Sequence, residues 1–377
     1  MADGAAGLRP GAVTPAIPEI DSLVEEAIAR RVFPGAVVLV AVGGELRHLR
    51  AYGTTMYADP GSRPVSVDTL YDVASLTKIF TATAALRLYE AGALELAAPA
   101  AAYLPELRAR DVLVQHLLTH TSGLDLRLAP LARAGREALM RAVYAAPQKC
   151  PPGTQVAYTN INSLLLGEIV ARIYGAPLDE ALRGLVIEPL GLRETGFCPP
   201  RHLLGRIAPT ERDDTWRMRL VHGSVHDESA YALGGVAGHA GLFSTAADLY
   251  RFCSAWLAGA PAEGSAGRRL VGPEAIAGAA PPRLLRPETV ALATRSWTPG
   301  LNLACGLGWM LDRPNFMGDP PPRAFGHTGF TGPAIVVVPA RRLIVVLLSN
   351  RVYPRRTPPH HHAVTAAVVQ AAIVIGS

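Results

Sequence analysis

Lysine is almost missing from this chain. Of its 36 basic side chains only Lys78 and Lys149 are lysines, which leaves 34 arginines. Charged residues of all kinds make up only 18% of the 377 positions, and there are four cysteines. Each shortage excludes something. Cys150, Cys198, Cys253 and Cys305 lie far apart with no C-x-x-C pair. That argues against a zinc cluster, and a chain of this size needs no disulfide framework. The arginines are scattered rather than gathered in runs, so the net charge of +5 reflects composition and not a nucleic-acid surface. Arginine in place of lysine, with abundant Ala, Gly and Pro, reads as the output of a GC-rich genome. The C-terminal "AVTAAVVQAAIVIGS" is apolar but too short to span a bilayer, and reads as a helix packed on a sheet. At the N-terminus no charged segment precedes an apolar one. The chain as it stands reads as cytoplasmic, or as periplasmic or secreted if a leader has been trimmed.

Apolar residues are plentiful, at 49%, enough for a large core and two lobes. Residues 21–32 have helical spacing, with Asp21 or Ser22 as the expected N-cap. "GAVVLVAVGGELRHLRAYG" reads as a hairpin turning at Gly43-Gly44, and "GPAIVVVPARRLIVVLLSNR" as a second hairpin. A mostly helical stretch lies between, from about 75 to 295, with loops and short helices over 255–300. A last helix covers about 360–374. The economical assembly is an α/β fold in which both chain ends build one sheet, 20–74 with 300–377, and a mostly helical domain, 75–299, is inserted.

One of the two lysines sits in "LYDVASLTKIF", three residues after Ser75. If a helix starts at Ser75 and runs to a stop at Gly92, Ser75 and Lys78 share a face one turn apart. A serine there lies where the helix dipole favours negative charge. An amine among apolar neighbours gives up its proton more readily than one in water, and can take a proton from a hydroxyl. Arginine cannot do this, because it does not deprotonate. A proton shuttle is thus the physical reason for a lysine in a chain that otherwise uses arginine.

Two other stretches carry chemistry. In "VAYTNIN", a Tyr158 phenolate, or Tyr158 sharing its proton with Lys78, can act as general base toward Ser75 or toward a hydrolytic water. Asn160 can hydrogen-bond Lys78 and the substrate. "AFGHTGFTGP" carries His327, Thr328 and Gly329, and its glycines have the plainer reading of turning a strand. Gly329 lets backbone approach substrate closely, and the N–H of Phe330 can pair with that of Ser75 as an oxyanion hole. Other features have plainer readings. His116 and His120 are four apart, a metal-compatible spacing, but without an H-E-x-x-H they read as packing. The histidines at 360–362 read as cap or surface. "GGVAGHAG" follows no strand of a βαβ unit, so it is not a nucleotide loop, though its glycines leave His239 a candidate for lining the cleft. Trp309 is a core residue or a cleft wall. No G-x-S-x-G elbow occurs.

The order S-x-x-K, Y-x-N, H-T-G resembles that of the serine β-lactamase and penicillin-binding-protein superfamily. The Y-x-N form is similar to class C β-lactamases, family VIII carboxylesterases and D-aminopeptidases. "VLVQHLLTHTSGL", "GGVAGHAGLFSTAADLYRF" and "VVLLSNRVYP" carry the resemblance over about 20–375. It implies a β-lactamase/transpeptidase-like fold, an antiparallel sheet flanked by helices with a helical domain inserted, and the active site in the cleft between the two. It also implies Ser75 as the acylated nucleophile, Lys78 and Tyr158 sharing proton transfer, and Asn160 orienting Lys78 and substrate. His327, Thr328 and Gly329 would line the opposite wall, with the Phe330 N–H in the oxyanion hole. His327 departs from the lysine that helps penicillin-recognising members bind a carboxylate, and no class A deacylation loop is evident. The expectation is a serine hydrolase, most of all a carboxylesterase on small to medium esters. The alternatives are a D-aminopeptidase, D,D-peptidase or weak β-lactamase, and a penicillin-binding-like protein that binds without turnover. Its partner is a small-molecule ester or amide, with no nucleic acid, no membrane span, no metal and no cofactor. No oligomeric state is implied.

Overall fold

The apolar runs near the two chain ends become the centre of one sheet. The computed structural model describes residues 17–259, 284–356 and 361–375. Helix α1 (Pro18–Ala29) leads into strands β1 (Gly35–Val42) and β2 (Glu45–Gly53). Gly43 and Gly44 turn this hairpin with φ of +63° and +88°, the left-handed pair that a two-residue turn requires. Helices α2 (Thr77–Glu90), α3 (Asn160–Tyr174) and α4 (Ala246–Gly259) follow. Strands β3 (Met310–Leu311), β4 (Phe325–Thr328), β5 (Ala334–Val338) and β6 (Leu343–Ser349) and helix α5 (His361–Ile375) come last. The sheet runs β2-β1-β6-β5-β4-β3, and every neighbouring pair is antiparallel. β1 and β6, from opposite ends of the chain, lie side by side with Val38 opposite Leu347 and Val40 opposite Val345.

These strands read as unbroken apolar runs because both faces of the sheet are buried. Alternation sorts their side chains by face. Val37, Leu39, Ile344 and Val346 join a core with Phe80 of α2 and Phe252 and Trp256 of α4. Val38, Val40, Val345 and Leu347 join a second core with Ile20 and Val24 of α1 and Val368 and Val369 of α5. Three layers result, and helices α2 and α3 pack on each other beside them.

Some boundaries differ from the sequence reading. α1 begins at Pro18, a residue suited to the first helical position, and not at Asp21 or Ser22. Asp21 is instead drawn across to β2, where it accepts from Arg50 Nη1 at 2.5 Å and Tyr52 OH at 2.6 Å. The middle of the chain is less helical than expected. Its short strands Tyr71–Asp72, Gly196–Phe197 and Leu242–Ser244 make a small sheet of their own. Most of the loop region expected over 255–300 falls outside the described residues, as does His360. Within the rest of that region, Pro287–Thr294 is helical.

Candidate active site

Ser75 sits in a tight turn, Ala74–Leu76, that feeds into α2, so the helix proper starts at Thr77. Ala74 has φ +46°, a left-handed conformation costly for a residue with a Cβ. The surroundings hold it there. Ala74 N donates to Asp72 Oδ1 at 2.9 Å, and Val73 N donates to Leu242 O at 3.0 Å. The Asp72 carboxyl is buried and also accepts from His226 N at 2.6 Å, while Thr331 Oγ1 donates to the Asp72 carbonyl at 2.7 Å. The Ser75 turn is therefore clamped on one side by the strand at 242–244 and on the other by the turn after β4.

One helical turn on, Lys78 is 2% exposed. Its Nζ donates to Ser75 Oγ at 2.8 Å, Asn160 Oδ1 at 2.9 Å and the His239 carbonyl at 3.2 Å. Three acceptors match the three N–H bonds of an ammonium. Asn160 opens α3 without capping it through its side chain. Tyr158, two residues earlier, is 41% exposed, so it is no core aromatic. Its ring centre lies 5.0 Å from Lys78 Nζ and 4.7 Å from the His120 ring. Among the described residues its hydroxyl makes no hydrogen bond to Ser75 or Lys78, which leaves it open toward the cleft.

β4 forms the facing wall. His327 is buried, and its Nδ1–H donates to the Thr328 carbonyl at 2.9 Å, which leaves Nε2 as an acceptor. Its ring is 5.9 Å from that of Tyr158. At Gly329 an added Cβ would lie 2.5 Å from the Val73 carbonyl oxygen. One close approach that this glycine permits is thus to the Ser75 turn. Phe330 follows, exposed, with the guanidiniums of Arg351 and Arg356 at 4.6 and 5.7 Å from its ring centre and His226 stacked at 5.7 Å.

Two further expectations need correction. His239 does not present its side chain to the cleft: the imidazole is fully buried, and only its carbonyl reaches the site. The cause is an acceptor on the inner side, since Nε2 lies 3.1 Å from Asp227 Oδ1. His361 is neither cap nor surface but 1% exposed. Trp309 is also buried, edge-on to Trp256 at 5.1 Å, yet it borders a cavity of about 60 Å³ together with His120, Tyr158, Leu303, Arg313 and His327. His116 is structural, as its Nδ1 accepts from Leu113 N at 3.1 Å. Sequence reasoning took His120, which backs Tyr158, for packing alone, and passed over the two carboxylates Asp72 and Asp227. The four cysteines are unpaired, and no helix among the described residues is long and apolar enough to cross a membrane.

The site's imidazoles are held neutral. Burial deprives a charged ring of water, and the Lys78 ammonium opposes a second cation, so His120 and His327 each fall from 6.5 to about 3. Burial also lowers His48 to about 4 and His361 to about 2. The unfolded chain protonates these rings near 6.5, so below that pH it binds protons that the folded chain refuses. Stability from these groups is complete above pH 6.5 and declines as the pH falls toward 3. Asp72 and Asp248, raised by burial, the latter to about 6, oppose this below pH 6 but are fewer. Calorimetry should place Tm several degrees lower at pH 5 than at pH 7.5. Equal values would contradict the neutral histidines.

A family model described as Beta-lactamase matches residues 20–370. The chain is 33% identical over 273 residues to Esterase EstB of Burkholderia gladioli, covering 62% of this chain and 68% of that protein. It is 29% identical over 350 residues to a Putative D-alanyl-D-alanine carboxypeptidase of Escherichia coli (strain K12), covering 81% and 76%. Among solved structures, EstCE1, a hydrolase with promiscuous acyltransferase activity, matches with TM-score 0.73 at 21% identity over 94% of this chain and 97% of that one. A class C β-lactamase matches with TM-score 0.72 at 22% identity over the same shares, 94% and 97%. The likeness in structure establishes the β-lactamase/transpeptidase-like fold that the motif order implied.

Proposed function

We propose that this chain, which belongs to the β-lactamase family, is a serine hydrolase that cleaves carboxylic esters through an acyl-enzyme on Ser75. Ser75 Oγ attacks the ester carbonyl while its proton passes to the Lys78–Tyr158 pair. The oxyanion gathers on the N–H groups of Ser75 and Phe330. Collapse breaks the bond to the alcohol, which leaves with a proton returned from the same pair. Water then attacks the acyl-enzyme, gives its proton to that pair, and frees the acid and Ser75.

The observation that carries the ester reading is that His327 is buried beside Lys78 with its Nδ1–H given to the Thr328 carbonyl. With its value down at about 3, it offers no positive charge at neutral pH. β-Lactams and peptides ending in D-alanine present a carboxylate, and a neutral imidazole holding only an acceptor outward does nothing for one. A neutral ester does not need that charge. The likeness to Esterase EstB supports the same reading. A second reading, cleavage of D-alanyl peptides, is favoured by the likeness to the Escherichia coli protein, which runs over more of the chain.

One panel tests both. Wild type and Ser75→Ala are assayed on p-nitrophenyl acetate and butyrate, on nitrocefin and on a D-Ala-D-Ala peptide. Ester turnover is expected in wild type and reduced by more than about 10³-fold in Ser75→Ala. Equal turnover by both proteins sinks the mechanism. A kcat/KM on nitrocefin or the peptide above that of the best ester overturns the substrate assignment.

A further inference from the structure

Asn160 has two faces to offer Lys78, an oxygen and an NH2, and only the oxygen can accept from the lysine. The choice is made on its far side. Asn160 Nδ2 points at Asp227 Oδ2, 3.4 Å away. A carboxylate only accepts, so it takes the NH2 group and turns Oδ1 toward Lys78. Asp227 is itself held firmly. Its Oδ1 accepts from Ser229 Oγ at 2.5 Å, Ala230 N at 2.9 Å and His239 Nε2 at 3.1 Å. Burial would push its carboxyl up, but His239 and these hydrogen bonds hold it well below the ordinary carboxylate range.

The glycines of "GGVAGHAG" explain how His239 gets there. A Cβ on Gly238 would lie 2.1 Å from the Ser163 carbonyl oxygen, and one on Gly167 would lie 2.9 Å from Gly238 Cα. Thr81 Oγ1 of α2 donates to the Gly238 carbonyl at 2.9 Å. The loop is thus wedged between α2 and α3. From there it gives Lys78 a carbonyl and Asp227 an imidazole. We propose that Asp227, gripped by His239, is a positioning residue of the reaction: it fixes the Asn160 amide and places a negative charge one residue behind Lys78. This rests on the reading that Lys78 activates Ser75.

A plainer role exists, because Asp227 is the N-cap of the short helix Glu228–Ala232. Asn caps as well as Asp. Asp227→Asn therefore keeps the cap while removing the charge and the acceptor-only face, so the Asn160 amide is free to turn over. In the full-length protein, Asp227→Asn should still fold but with a lower Tm, because the contacts that hold the carboxylate ionised stabilise the folded state. The rate constant for fluorophosphonate labelling of Ser75 should fall by up to about 10²-fold, as expected when a reacting group is misplaced. On p-nitrophenyl acetate, kcat should fall by a similar factor with KM little changed.

The acid limb of the pH profile should also move to lower pH, because the cationic form of the shuttle loses its counter-charge. Lys78 is faced by Tyr158, His120 and His327, and the two histidines stay neutral over this range. Asp227 is faced by His239, with Asp72 within electrostatic reach. Asp227→Glu, which restores the charge, should recover part of the labelling rate. An unchanged labelling rate in Asp227→Asn overturns the proposal, and so does a slowed rate with no shift of the acid limb and no recovery in Asp227→Glu. Labelling does not depend on which substrate is natural. A wild-type Ser75 that resists the probe sinks the lysine-activated nucleophile itself, whereas a labelled wild type with no ester turnover sinks only the ester reading.

Discussion

Lys78→Arg should abolish ester turnover, by about 10³-fold or more, in a protein that still folds. The substitution preserves positive charge and hydrogen-bond donors, so it separates two roles that deletion confounds. If Lys78 only stabilised negative charge near Ser75, a guanidinium would retain much of the activity. If it takes and returns a proton, arginine fails because it never deprotonates. The geometry puts the second role within reach. Lys78 Nζ is 2.8 Å from Ser75 Oγ, a distance at which a proton passes without rearrangement. The loss should appear in acylation, so the pre-steady-state burst of p-nitrophenol should vanish along with the steady state. Lys78→Ala is the companion. Arg and Ala equally inactive supports proton transfer, whereas an Arg variant with more than a tenth of wild-type activity refutes it.

The residues proposed to act on the substrate were legible, while those that hold them in place were not. Ser75 and Lys78 are one helical turn apart, so spacing alone pairs them, and the scarcity of lysine marked the second. Tyr158-x-Asn160 and His327-Thr328-Gly329 were readable as a set in a fixed order. Strands β1, β5 and β6 were readable because β-branched runs buried on two faces have no polar interruption, and β2 through its glycine turn, whereas the short β3 and β4 were not. Asp72 and Asp227 left no such mark. Each acts through partners 154 and 67 positions away, His226 and Asn160, and no local period connects them. The strain at Ala74 is invisible because the residue is not glycine. His239 was legible as important through its glycines, but which way it faced depended on Asp227. Asp21 is the same lesson at a helix end: a suitable N-cap residue was claimed by Arg50 and Tyr52 across the sheet.

Gly329→Ala should cost more in activity than in stability, because the two structures it forces apart are the two halves of the site. The new methyl would stand 2.5 Å from the Val73 carbonyl oxygen and 3.4 Å from the Ala74 Cβ. Neither side can easily yield. On the strand side, Gly329 N donates to the Pro333 carbonyl at 2.7 Å and Gly332 N to the Gly329 carbonyl at 3.0 Å. On the nucleophile side, Val73 is tied to Leu242, and Ala74 to the Asp72 carboxyl. Relief must come from a shift of the Ser75 turn away from β4, which widens the gap between the Ser75 and Phe330 N–H groups. Overpacking of this kind costs about 1–3 kcal/mol of stability, whereas a displacement near 1 Å at a reacting group costs about 10²-fold in rate. The expected outcome is a Tm lower by a few degrees and a kcat on p-nitrophenyl esters lower by about two orders of magnitude. The comparison variant is Gly43→Ala in the β1–β2 turn, where an added Cβ meets nothing within 4 Å. With φ of +63° there, backbone strain lowers Tm without touching the site. If Gly43→Ala and Gly329→Ala lose stability alike and keep activity alike, the contact between β4 and the nucleophile turn is not what sets the oxyanion hole.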